Sequence, residues 1–318
     1  RRFLKTSAAA CAAAALPTPF IHAEDKSGSR NAIVGEGEYQ YECLHDWGMA
    51  NLPDGATYGN ASHGVAIDSQ GLIYITHKQG RPGSLFVFDP EGKFVKSMGD
   101  FHALDKQGHG HGIDIREENG EEFIYLAASD SRLGFAKMNL QGEVAWRKER
   151  KDLQDETKKY PQGARYRVTN TSFSPDGGYF LGDGYGSNWV HQYDKNNKYL
   201  RSIGGSGKGE GQFQTPHGQW LDNRDGTPKL VVADRANKRL QWFDMDGKFL
   251  KKLDGFLFPA DIDIQGDLMV VPDLHCRVTL LDKENNVVAQ LGDDEAWRKI
   301  ALAGFKMRGQ RAKWQPGK

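Results

Sequence analysis

Apolar and polar residues alternate with a period of two over many short stretches, such as IYIT (73–76), LFVFD (85–89) and RLQWFD (239–244). That period predicts half-buried strands rather than helices. The stretches are bounded by turns such as DPEGK (89–93) and DMDGK (244–248), whose Gly and Asp residues suit the tight connections between strands. The pattern breaks near the end, where DEAWRKIALAGFKMRGQRAKWQPGK (294–318) reads as a helix followed by a basic loop.

The strands recur in groups. Similar units begin at Ser62, Gly110, Val168, Pro216 and Pro259. Each holds an apolar strand, a Gly-bearing turn, a second strand often ending in Asp, a third ending in an aromatic-Asp-like pair, another turn and a short fourth strand. Four strands per unit, repeated radially, is the plan of a β-propeller blade. A sandwich of unrelated hairpins would not repeat its punctuation in this way. The repeats resemble the NHL family, most clearly in VVADRANKRLQWFDMDGKFL (231–250), over roughly residues 39–293. The resemblance implies an all-β, six-bladed NHL-type β-propeller.

Five full units follow a lone strand, EYQYECLHDWG (38–48). A propeller closes when an N-terminal strand completes its last blade and removes the exposed edge. The expected organisation is therefore a propeller over 38–318 whose sixth blade is truncated. Residues 38–48 would be that blade's outer strand, and 294–318 an insert before its missing part. A five-blade ring with a C-terminal tail is the alternative.

Composition fits many tight turns: 38 of 318 residues are glycine, about 12% against a usual 7% or so. Lys+Arg and Asp+Glu are equal at 42 each, so no basic field invites nucleic acid. The first residues, RRFLKTSAAACAAAALPTPFIHAEDK, read as an export signal over 1–23 with cleavage after Ala23, followed by a linker over 24–37. The apolar run is too short to span a bilayer. The arginine pair resembles a twin-arginine signal, although the usual pattern leaves one residue before the Phe; a lipoprotein signal through Cys11 is the weaker alternative. Cleavage would remove Arg1, Arg2 and Lys5, leaving a slightly acidic, periplasmic or extracellular protein, expected as a monomer. Cys43 and Cys276 would remain, either as one disulfide or as two buried thiols.

Aligning the entrance of each unit's first strand places His63, His111, Thr169, His217 and Ala260 in one slot. In a propeller that strand lines the central channel, so the slot forms a ring near its mouth. His111 and His217 fall on alternate blades. With a third histidine from blade six they would form the His₃ set that leaves catalytic zinc an open position. A histidine in such a channel can equally bond to water or a carbonyl. His63, His102 and His109 lie near in sequence and dilute the inference.

PHG (216–218), HGID (111–114), DGYGSN (183–188) and DRANKR (234–239) together resemble the catalytic domain of the peptidyl-α-hydroxyglycine α-amidating lyase family. The resemblance implies zinc on three channel histidines, two of them matching His111 and His217. It implies that Tyr185 and Arg235 lie beside the metal and act on the hemiaminal hydroxyl or position the substrate, a small molecule or peptide. It also implies a central calcium held partly by the backbone carbonyls of Val65 and Ile113. The residues alone allow simpler roles: Tyr185 packed over the channel, Arg235 paired with Asp183 or Asp234. The family's first-blade arginine has no counterpart in THKQG (76–80); Lys78 or Arg81 would replace it, and a lysine cannot form the same two-pronged contact. The third histidine and the calcium carboxylate are missing, an absence expected from truncation.

Two other functions fit the same repeats. One is a lactonase-like hydrolase. The other is a non-catalytic propeller binding a protein, peptide or glycan, for which Trp189, Trp220 and Trp242 would supply an exposed aromatic face. An electron-transfer or quinone-dependent propeller finds no cofactor motif.

Overall fold

The computed structural model describes residues 32–44, 47–49, 51–58, 64–77, 83, 85–98, 110–128, 134–303, 305–308 and 311–314. A short hairpin comes first, β1 (Ala32–Val34) against β2 (Tyr41–Cys43), antiparallel with Ile33 opposite Glu42. Five four-stranded antiparallel blades follow. Blade 1 holds β3 (Val65–Ile67), β4 (Ile73–Thr76), β5 (Leu85–Phe88) and β6 (Phe94–Met98). Blade 2 holds β7 (Ile113–Glu118), β8 (Glu121–Ala128), β9 (Gly134–Asn139) and β10 (Val144–Lys148). The helix α1 (Arg150–Thr157) leads to blade 3: β11 (Thr171–Phe173), β12 (Tyr179–Gly182), β13 (Trp189–Tyr193) and β14 (Tyr199–Gly204).

Blade 4 holds β15 (Pro216–Asp222), β16 (Lys229–Asp234), β17 (Arg239–Phe243) and β18 (Phe249–Asp254). Blade 5 holds β19 (Asp263–Gln265), β20 (Leu268–Asp273), β21 (Arg277–Leu281) and β22 (Val287–Leu291). The chain continues into α2 (Glu295–Ala303) and a second hairpin, β23 (Phe305–Arg308) with β24 (Arg311–Trp314).

In every blade the strands pair in sequence order, and the first strands of successive blades lie side by side. The cores sit between blades. Tyr74, Leu85 and Val87 of blade 1 meet Leu126, Ala136 and Met138 of blade 2. Phe180, Val190 and Phe213 meet Leu230, Val232 and Phe243, whereas Val231, Ala233 and Trp242 face the other way onto Met269, Val271 and Leu281. Successive residues of β16 thus enter opposite cores, because side chains alternate across a strand and both faces of a middle strand are covered. This also explains why KLVVAD reads as a continuous apolar run rather than an alternation.

Two expectations need correction here. The lone strand at 38–48 has a partner: Tyr41–Cys43 pairs with Ala32–Val34, inside the stretch expected as a linker. Three residues, AIV, are too short to display a period. Trp242 is fully buried, with its indole N–H donated to Asp222 at 2.8 Å, and Trp220 packs half-buried against the same blade 4–5 core. These two belong to the interior rather than to an aromatic binding face. Cys43 and Cys276 are both half-buried and do not pair with each other. The export signal (1–23), His63, Lys78, Arg81, His102 and His109 lie outside the described residues.

Candidate active site at the inner end of blades 2 to 4

His111 and His217 come together. Their ring centroids are 5.0 Å apart, and both residues are almost fully buried, at 1% and 2% exposed. His111 precedes β7 and His217 is the second residue of β15. Each imidazole is held from behind by the next blade: Nδ1 of His111 lies 2.6 Å from the Thr169 carbonyl oxygen, and Nδ1 of His217 lies 2.6 Å from that of Ala260. A carbonyl can only accept, so both Nδ1 atoms carry the hydrogen and the Nε2 atoms are turned the other way. The two non-histidine members of the slot, Thr169 and Ala260, therefore act through their backbone oxygens. Side-chain identity gave no sign of that.

Both Nε2 atoms face Tyr185. The phenol oxygen is 2.7 Å from Nε2 of His217 and 3.4 Å from Nε2 of His111. Arg235 completes the group, donating from Nη1 to the same oxygen at 3.1 Å. The Arg235 guanidinium lies between two rings, 5.0 Å from the Tyr185 centroid and 4.9 Å from that of Phe258. Its Nε–H is buried with no acceptor. Arg235 pairs with neither Asp183 nor Asp234: the latter is taken by Arg239 at 2.8 Å. Phe258, which sequence reasoning missed, stacks in turn on His275 with centroids 4.9 Å apart and planes 5° from parallel.

The strand before His217 starts under strain. Thr215 has φ 59°, unusual for a β-branched residue and a kind of strain that concentrates at functional sites. It is held there by Asn188 Oδ1, which accepts its N–H at 2.8 Å, and by the N–H of Arg235, which donates to its carbonyl at 3.2 Å. One turn thus links the loops that carry Tyr185, His217 and Arg235.

Asp114 of β7 is near enough to Asp261 and Asp263, at the start of blade 5, to feel their charges. Burial pushes the carboxyl of Asp114 up to about 8, reinforced by the neighbouring charges of Asp263 and Asp261. Burial pushes Asp261 up to about 7, against hydrogen bonds from the Ile262 N–H and Asn170. Thr76 N–H donates to the Gly64 carbonyl and Ala127 N–H to that of Gly112. By strand alternation the next carbonyls, of Val65 and Ile113, then point away from β4 and β8, to the inner edge.

Comparison with known proteins fixes the architecture. The chain is a β-propeller. Its fold is similar to that of XC5397, a gluconolactonase of Xanthomonas campestris, with a TM-score of 0.55 at 11% identity, covering 74% of this chain and 77% of that one. The structure of the nidogen/laminin complex matches with a TM-score of 0.53 at 15% identity, over 73% and 80% of the two chains. Streptogramin B lyase matches with a TM-score of 0.52 at 10% identity, over 78% and 73%. At such identities the likeness concerns the fold alone. In sequence, 53 residues are 40% identical to protein lin-41 of Caenorhabditis elegans, which is 17% of this chain and 4% of that protein's length. No family model matches.

The propeller brings together four of the residues singled out from sequence, His111, His217, Tyr185 and Arg235. The arrangement suits a cation at the two Nε2 atoms: imidazoles that bind metals usually donate the other ring N–H to a carbonyl or carboxylate, as both do here. Among the described residues no group of three or more His, Cys, Asp or Glu side chains is placed to hold a metal ion, so His111 and His217 fit as part of a ligand set. No helix among the described residues is long and apolar enough to cross a membrane.

Proposed function

We propose that this propeller is an exported enzyme that cleaves a C–N bond at a hydroxylated carbon, as the amidating-lyase family does. The observation that carries the reading is the convergence of two backbone-anchored imidazoles and a buried arginine on one phenol. His111 and His217 would hold zinc, which when bound supplies Lewis acidity to a substrate oxygen. The Val65 and Ile113 carbonyls are the candidate ligands for a structural calcium in the channel. The strand within 38–48, β2, is read as part of a sixth blade, 294–318 as an insert before the rest of it, and Lys78 as the replacement for the family's first-blade arginine.

For an N-acyl-α-hydroxyglycine the reaction is an internal redistribution. The Tyr185 oxygen, ionised to the phenolate, accepts the proton of the carbinol hydroxyl, the C–O bond becomes a carbonyl, and the C–N electron pair leaves with nitrogen. The proton then passes to that nitrogen, giving an amide and glyoxylate. Arg235 orients the phenol and offers its unpaired Nε–H toward a substrate oxygen.

The test uses the full chain with an N-acyl-α-hydroxyglycine as probe and glyoxylate as readout, alongside zinc content. Y185F should lower turnover about 10²–10⁴-fold, the usual worth of a general acid–base. H111A and H217A should each lose zinc. Unchanged zinc in both, with no glyoxylate from wild type, would refute the reading. A lactone offered in the same assay separates the hydrolase alternative, which gains some support from Asp114 and Asp261, carboxyls held near neutral pH in the channel. The binding-module alternative loses Trp242, which is buried, from the three tryptophans of its aromatic face.

A further inference from the structure

Blades 4 and 5 end their second strand in the same device. Asp234 accepts the Gln214 N–H at 2.7 Å with one oxygen and Arg239 Nε at 2.8 Å with the other. Asp273 accepts the N–H groups of Leu257 and Phe258, and Arg277 Nη2 at 3.0 Å. In each case the arginine sits opposite the aspartate in the strand pairing. The carboxylate gathers the loop that precedes the blade, and the arginine neutralises it.

Blade 3 keeps the aspartate and lacks the arginine. Gly182 pairs with Val190 as Ala233 pairs with Leu240, so the residue in the arginine's place is Trp189. Asp183 is fully buried, and among the described residues no lysine or arginine side chain bonds to it. The missing partner is supplied from outside the blade. Tyr160, on the connection after α1, donates its hydroxyl to Asp183 Oδ2 at 2.8 Å. The same oxygen of Tyr160 lies 2.6 Å from Nε2 of His191, whose Nδ1 is 2.8 Å from Ser202 Oγ. Burial lowers His191 to about 3, so the ring is neutral and can donate from Nε2 to Tyr160 while Ser202 donates to Nδ1.

Tyr185 depends on this carboxylate from both flanks. Asp183 Oδ1 accepts the Arg167 N–H at 2.6 Å, and the Arg167 carbonyl accepts the Tyr185 N–H at 3.2 Å. Asp183 Oδ2 accepts the Ser187 N–H at 2.9 Å, two residues past the tyrosine. Between them, a Cβ on Gly186 would come within 2.0 Å of the carboxylate, so the loop wraps directly on it. We propose that Tyr160 is a positioning residue that, through the Asp183 carboxylate, sets the Tyr185 phenol against His217. It takes over in blade 3 the part played by an arginine in blades 4 and 5. An oriented hydroxyl backed by a neutral imidazole holds the anion's geometry and adds no positive charge to it.

This rests on Tyr185 being the working phenol of the site, yet its geometry can be read with neither metal nor substrate. The experiment is imidazole nitrogen NMR on the full chain, with the His217 Nε2 resonance assigned by its loss in H217Q. Y185F gives the resonance without the phenol's hydrogen bond. Y160F, which keeps the ring and its packing, is expected to move His217 at least half of the way to the Y185F position. Movement of His191 alone, with His217 unmoved, would overturn the proposal. If Y160F does not fold, D183N carries the same expectation and the same refutation. Should wild type release glyoxylate, Y160F should lower kcat tenfold or more and leave KM within twofold; a change in KM alone would count against positioning. Absence of lyase activity would refute the proposed function and leave the NMR result to decide this one.

Discussion

Gly184 sits where no side chain fits. A Cβ there would lie 1.9 Å from the carbonyl oxygen of Pro216, the residue before His217. The turn that carries Tyr185 thus packs its backbone directly on the strand that carries its partner, which is how two loops from different blades hold a phenol and an imidazole at hydrogen-bond distance. G184A should destabilise the fold by roughly 1–3 kcal/mol, the usual cost of overpacking, and should also disturb the site. Thermal unfolding checks the first, and zinc content the second. At this scale the sequence was legible where a residue type recurred in a slot or motif: His111 and His217 in the repeat alignment, Tyr185 and Arg235 in DGY and DR. Tyr160 was not legible, because it lies in a polar connection with no repeat to compare. Trp189 was read as a surface aromatic, and its meaning as a missing arginine needed the strand register.

Among elements, the blades are joined by recurring long polar side chains that reach across to the next sheet. Arg116 of β7 donates to the carbonyls of Gly177 and Gly178 in blade 3. Gln219 of β15 donates back to the Phe180 carbonyl at 2.8 Å. Arg224, after β15, pairs with buried Asp222 at 2.9 Å and donates to the Asp282 carbonyl and Asn285 Oδ1 of blade 5. Because Asp222 also takes the Trp242 N–H, losing the guanidinium strands a buried carboxylate and unlinks two blades. R224A should therefore cost about 3–5 kcal/mol, as breaking a buried pair does. A change under 1 kcal/mol in denaturant unfolding would show the link to be dispensable. The blade pattern itself was readable from turn chemistry and alternation. The β1–β2 pairing was not, since three-residue strands carry no period. Nor was the interior place of Trp242, since every residue of β17 is buried on one side or the other.

For the whole molecule, the channel carboxyls set a pH dependence. Asp114 is held near 8, and Asp261 and Asp183 near 7, against an ordinary value close to 4. Between those limits the folded chain keeps protons that the unfolded chain releases, so this contribution is fully present below about pH 4 and is lost as pH rises through 7 and 8. With a chelator present, Tm should fall between pH 5.5 and 8.5, and D114N should flatten the slope. A D114N slope equal to that of wild type would show that Asp114 is not responsible. The segment that precedes blade 1 touches both the first and the last described blades. A Cβ on Gly35 would touch Leu291 of blade 5 at 2.6 Å. On the other side Trp47 lies 5.5 Å from Phe88 of blade 1 and donates to the Pro90 carbonyl at 3.4 Å, while Tyr58 packs on Phe86. Successive blades from 1 to 5 share apolar cores, whereas the described contacts of this segment with blades 1 and 5 run along one length of chain. The site on blades 2 to 4 is thus built on blades that share those cores, and its described side-chain contacts involve no residue of that segment.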